Sequence, residues 1–180
     1  MEISYVSVDL LKKGDWHSNY ILRPDLLTLS VSLRENGFIY PILVRKEDNS
    51  IIDGYHRWML VKDNEHFQKQ FPQVPCVFKS CDSLEAAMMH LQINRGRGTL
   101  VAHLISRIIK DFIYSKKYTE EQIQALLSMK YDELQLLMDG TIIKKLNIQN
   151  HKYSRAWVPI EAPAGTVDKF ETERPPNSDR

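Results

Sequence analysis

The stretch Ile51-Ile52-Asp53-Gly54-Tyr55-His56-Arg57-Trp58 constrains this chain of 180 residues more than any other. Two β-branched residues close a strand, an acid and a glycine turn the backbone, and Tyr55 to Lys62 opens a helical pattern. A strand that runs through one glycine into a helix leaves the N–H groups of the first helical turn without partners. Such a turn is a ready anion site, and a guanidinium beside it adds a charged, forked donor. Gly54, Tyr55, His56 and Arg57 are therefore candidates to hold a phosphate. The alternative is a plain strand-to-helix corner in which Arg57 pairs with a nearby carboxylate, His56 packs, and Asp53 caps an Asx-type turn.

The flanking pattern is that of an α+β domain with a small mixed sheet flanked by helices. Residues 1–11 alternate loosely, as a short edge strand does. Residues 23–37 read as a helix, with Pro24 in the first turn, Leu26, Leu29, Val31 or Ser30, and Leu33 at helical spacing, and Gly37 at the C-terminal stop. A β-rich run at 38–45, the polar turn Glu47 to Ser50 and Ile51-Ile52 predict a hairpin. Another strand is expected at 73–78, then a helix from Ser83, with Ser83 as N-cap. A long amphipathic helix follows from Leu100 to Tyr114, and Thr119 caps Glu120 to Leu127. Tyr131 to Met138 makes a last helix after a three-residue turn, which is helix-turn-helix spacing. Pro159, Pro163, Pro175 and Pro176 punctuate a tail with hardly an apolar cluster. The expected organisation is a domain at 1–115, a small helical segment at 116–158 and an extended tail at 159–180.

A second anion-binding candidate lies at Asn94-Arg95-Gly96-Arg97-Gly98-Thr99, where amide, guanidinium and hydroxyl groups precede a helix. Composition matters here because the whole chain offers no field for a polyanion: Lys plus Arg number 24 against 23 Asp plus Glu, a net charge of +1. The positive charge is local. Arg95, Arg97, Arg107, Lys110, Lys116 and Lys117 face only Asp111 over 93–117, and Lys144 and Lys145 follow downstream. Arg107, Lys110, Lys116, Lys117, Lys144 and Lys145 are thus candidates to touch DNA phosphates; the alternative is a solvated helix face. In the second helix of the turn, Asp132 and Glu133 repel phosphate, which argues for a packing hairpin or a dimer contact over base reading. Cys76 and Cys81 make neither a disulfide framework nor a zinc pattern, no signal peptide opens the chain, and no apolar run could span a bilayer. A reducing cytoplasm is the expected setting. His17, His66, His90, His103 and His151 show no ligand spacing, so no metal site is expected.

These segments together resemble the ParB/sulfiredoxin superfamily, specifically the ParB-like N-terminal (ParB-like nuclease) domain. The helix ending at Gly37 leads to Pro41-Ile42-Leu43-Val44, like the family's Pro-Ile-x-Val strand. Gly54-Tyr55-His56-Arg57-Trp58-Met59-Leu60 is similar to its Gly-Glu-Arg-Arg-Trp-Arg-Ala box, and 93–100 to its Glu-Asn-x-x-Arg-x-x-Leu box. The resemblance covers roughly residues 5–105. It implies a nucleoside triphosphate, CTP or ATP, with Mg²⁺ as an accompanying ion, its phosphates on Gly54, Tyr55, His56, Arg57, Asn94, Arg95, Arg97 and Thr99. Ile93 stands where the family carries a glutamate that helps hold the metal, so hydrolysis is left open. Tyr55 stands where sulfiredoxins carry their catalytic cysteine, so thiol chemistry is not expected.

The implied role is a nucleotide-binding regulator or partition-like factor associated with DNA or a DNA-bound protein, self-association included. Small ParB-like proteins of phages and mobile elements are similar in having a short helical end and an aromatic segment like Tyr153 to Trp157. The other reading is a phosphotransferase. Asp53-Gly54-Tyr55-His56-Arg57 is similar to the Asp-Gly-His-His-Arg string of the superfamily's free-serine kinases. There Asp53 would orient or deprotonate a hydroxyl, His56 and Arg57 would neutralise the transferred phosphoryl, and Asp25 or Glu35 would serve as base. A third reading is a silent interaction module.

Overall fold

The structure, a computed structural model, describes residues 2–95 and 101–139. Five strands form one mixed sheet in the order β1 (Ser4–Val6), β5 (Val74–Lys79), β3 (Ile42–Arg45), β4 (Ser50–Asp53), β2 (Lys12–Lys13). β1 runs antiparallel to β5, β5 parallel to β3, β3 antiparallel to β4, and β4 parallel to β2. The helices are α1 (Arg23–Asn36), α2 (Tyr55–Lys62), α3 (Glu65–Gln70), α4 (Ser83–Arg95), α5 (Ala102–Tyr114), α6 (Glu120–Leu127) and α7 (Tyr131–Asp139). The α+β class with a small mixed sheet is as expected from the sequence. Among the described residues no helix is long and apolar enough to cross a membrane.

Because successive strand residues face opposite sides, the two central strands feed two cores. Ile42, Val44 and Ile51 point into a core closed by α1, α2 and α3, with Leu26, Leu33, Leu60, Val61 and Phe67. Leu43 and Ile52 point the other way, into a core of α4, α5, α6 and α7 that includes Trp16, Leu91, Ile109, Phe112, Ile123 and Leu134. A sheet covered on both faces explains why β4 reads as a continuous apolar pair, whereas Trp58, Met59, Leu60 and Val61 are buried in succession because α2 is packed among α1, α3 and β3 within one core.

Several local expectations shift. The β-rich run at 38–45 forms a strand only from Ile42, because Pro41 has no N–H to give a ladder and Phe38 instead packs edge-on against Phe71, 5.3 Å between ring centres. Residues 1–11 give the edge strand β1 and then a 3₁₀ turn at Val8–Leu10. Asp82, not Ser83, caps α4: its carboxylate accepts from the Leu84 and Glu85 N–H groups at 2.9 and 3.0 Å, and Glu85 accepts from the Asp82 N–H at 3.0 Å. Val31 is exposed, since the buried stripe of α1 runs through Leu26 and Leu33. β2 and α3 carry no counterpart in the sequence reading. Thr119 caps α6 through a reciprocal box with Gln122, as expected. Lys144, Lys145 and the 140–180 segment lie outside the described residues.

Candidate functional site

The corner after β4 places the site. Gly54 sits at φ 94°, left-handed, which turns the chain from β4 into α2 within one residue. Space gives a second reason for glycine: a Cβ here would lie 2.9 Å from Arg57 Nη2 and 3.3 Å from Ile42 Cγ1. The Arg57 side chain folds back over the glycine. Its Nη1 donates to the Tyr40 carbonyl and, at 3.4 Å, to that of Pro41, and Nη2 lies 3.6 Å from Asp53 Oδ2. Arg57 thus ties the loop before β3 to the corner after β4, and Asp53 serves as its partner while Gly54 takes the N-cap position without a side-chain bond.

A cleft of about 400 Å³ opens at this corner. The first turn of α2 gives it Gly54, Tyr55, His56 and Arg57; α4 gives His90 and Asn94; α1 gives Asp25 and Leu29; the segment before α1 gives His17, Asn19 and Tyr20. Asn94 of the second box therefore shares one cavity with the first box. Arg95 ends α4 and turns elsewhere, forking onto Glu133 of α7 at 2.9 and 2.8 Å. Arg97 and Thr99 lie outside the described residues. Asp25 lines the cleft, whereas Glu35 is exposed beside Arg34 at the far end of α1.

His17, His90 and Asn19 carry no recognisable spacing, and only the fold gathers them. The His90 Nδ1–H donates to the Ile52 carbonyl at 2.7 Å, while its Nε2 accepts from the Ser18 N–H at 3.2 Å and lies 3.1 Å from the Ser18 hydroxyl. A carbonyl can only accept and a backbone N–H can only donate, so these partners fix one neutral tautomer. Asn94 donates to the His90 carbonyl at 2.8 Å and accepts from Asn19, whose own Oδ1 is buried without a partner among the described residues. The His17 ring lies 4.0 Å from that of Tyr55 and 5.5 Å from that of His56. Burial pushes His17 down to about 3, helped by His56, His90 and Lys13 and opposed by the Asn19 backbone. Burial also pushes His56 down to about 4, against the pull of Asp53, and lowers His90. In the empty cleft burial therefore favours the neutral form of the His56 ring, opposed by Asp53. Among the described residues no group of three His, Cys, Asp or Glu side chains is arranged to hold a metal ion.

The surface cations are dispersed. Arg107 donates to the Asp15 carbonyl at 2.8 Å. Lys117 is paired with Asp82 and, at 3.3 Å, with Glu85. Lys110 is half-buried on α5, and Lys116 is exposed just beyond it at φ 57°.

The fold is thus a mixed sheet held between two helical layers, with a helix entered through glycine beside the cleft. The ParB N-terminal domain family matches residues 1–95, and the chain belongs to it. Over 161 residues it is 26% identical to the uncharacterized protein YbdM of Escherichia coli K12, covering 86% of this chain and 75% of that protein. The C-terminally truncated chromosome-partitioning protein ParB of Caulobacter crescentus, complexed to the centromeric parS site, is 18% identical with a TM-score of 0.55, covering 83% of this chain and 80% of that one. The same ParB complexed with CTP-gamma-S matches at 20% identity and a TM-score of 0.45, over 83% of this chain and 86% of that one.

Proposed function

We propose that the cleft binds the phosphates of a nucleoside triphosphate, CTP or ATP, and that the chain works with DNA or a DNA-bound protein as a ParB-like regulator or partition-like factor. One observation carries this reading: the first turn of α2, from Gly54 to Arg57, and Asn94 of α4 line the same cleft. Its volume is within the range of small-ligand sites, and family membership supports a nucleotide as the occupant. For DNA, the exposed Lys116, the half-buried Lys110, and Lys144 and Lys145 later in the sequence are the candidates for backbone phosphate. α7 presents Asp132, Glu133 and Asp139, which disfavours base reading by that helix. The test is thermal unfolding with CTP, ATP, ADP and sulfate, with and without Mg²⁺. A ligand at 100 times its Kd stabilises by about 2.7 kcal/mol; if no nucleotide moves the transition, the reading fails.

A phosphotransferase is favoured by a separate observation, that Asp25, Asp53 and His56 line one cleft. Asp25 is then the base and Glu35 is not. Phosphate transfer from ATP or ADP to free serine, lost in Asp25→Asn, is the expected result; no transfer to any small hydroxyl compound removes this reading.

A further inference from the structure

A cleft that holds phosphates needs positive charge, and this one has little at rest. Among its described lining residues Arg57 is the one permanent cation; it already serves Tyr40, Pro41 and Asp53, and Asp25 and Asp53 bring opposite charge. The cleft is rich instead in imidazole, with His17, His56 and His90 on its wall. Their circumstances differ. His90 is fixed neutral, because protonating Nε2 would set a new donor against the Ser18 N–H. His17 and His56 are instead held neutral chiefly by burial, which an anion entering the cleft can offset.

Resting on the reading of the cleft as a phosphate site, we propose that His17 and His56 are anion-binding residues that take up protons from solvent as a phosphate or sulfate group enters. The cleft would thereby generate its cationic charge as it fills. Every charged or titratable neighbour bears on this balance. Lys13 on β2 and His90 on α4 oppose a positive charge on both rings, and His56 opposes it at His17; Asp53 on β4 favours it at His56, the Asn19 backbone favours it at His17, and Tyr55 lies against the His17 ring. Asp25 of α1 and Arg57 of α2 stand on the same wall. Burial keeps both rings neutral in the empty cleft. A dianion at hydrogen-bond distance reverses that preference, since an opposite charge stabilises the protonated form. Binding linked to one proton tightens up to tenfold for each unit of pH lost.

Two measurements test this. Calorimetric titrations of CTP and of sulfate, whose charge is constant over this range, are run at pH 5.5 and 7.5 in buffers of different ionisation enthalpy. Proton uptake at pH 5.5 and affinity at least about tenfold higher than at pH 7.5 are expected. In parallel, the ring Cε1–H signals of His17 and His56, assigned through His17→Gln and His56→Gln, should move to imidazolium positions on saturation with sulfate at pH 5.5, while His90 stays neutral. Binding with no buffer-dependent heat, or with both rings remaining neutral, overturns the proposal and leaves the phosphate site standing. Absence of binding at either pH overturns both.

Discussion

At Gly54 two independent requirements fall on one residue. Its φ of 94° strains any L side chain, and the Cβ of such a residue would press on Arg57 and Ile42. Gly54→Ala should lower stability by about 1–3 kcal/mol, read as a reduced denaturant midpoint at constant slope; an unchanged midpoint would mean that the corner relaxes freely. The glycine and the arginine were both legible in the sequence, but their mutual contact was not, because a side chain folding back over its own helix start leaves no periodic trace. His17 and His56 give a second expectation. Both are held below the ordinary imidazole range, so the folded state binds fewer protons than the unfolded chain. Their contribution is complete above about pH 6.5 and is lost as pH falls toward about 4 and 3. Between pH 6.5 and 5 stability should drop by up to about 1.4 kcal/mol per unit for each ring, above the range where Glu47, Asp48 and Glu121 titrate. Urea unfolding at pH 7.5 and 5.0 measures it, and a flat profile would show that neither ring is buried neutral.

Among the elements, the end of α4 has two attachments. Asn94 faces the cleft network and the next residue, Arg95, forks onto Glu133 of α7. The pair is part-exposed, at 28% and 41%, so a double-mutant cycle of Arg95→Ala and Glu133→Ala should give a coupling of about 0.5–1 kcal/mol. Strict additivity would show that α7 is held by its apolar contacts alone. The sequence foretold α1, α2 and the α6–α7 pair because each carries a start or stop with a mechanism: Pro24, Gly37, Gly54 and the Thr119–Gln122 box. It was silent on β2, whose Lys12 and Lys13 resemble loop residues and become a strand through parallel pairing with Ser50 and Ile51. It was silent too on α3, six residues long and begun by Asn64, which accepts from the His66 and Phe67 N–H groups. Both are set by tertiary partners, which no local pattern encodes.

For the whole molecule, the controlling fact is that one sheet separates two cores and the cleft opens at the corner where β4 passes from the sheet into α2. Ile51 belongs to one core and Ile52 to the other, and Asp53 and Gly54 follow at once. The position of the site is therefore rigidly set by packing on both sides. This is why motif spacing alone could locate half of it, while His17, Asn19 and His90 needed the fold. The central claim is that this corner cradles a nucleotide's phosphates, and the most direct measurement is the thermal shift produced by CTP or ATP on the intact chain and on Arg57→Ala. The expected result is a concentration-dependent rise in Tm for the intact chain that the variant loses beyond its own lower starting Tm. An equal rise in both proteins, or none in either, would contradict it.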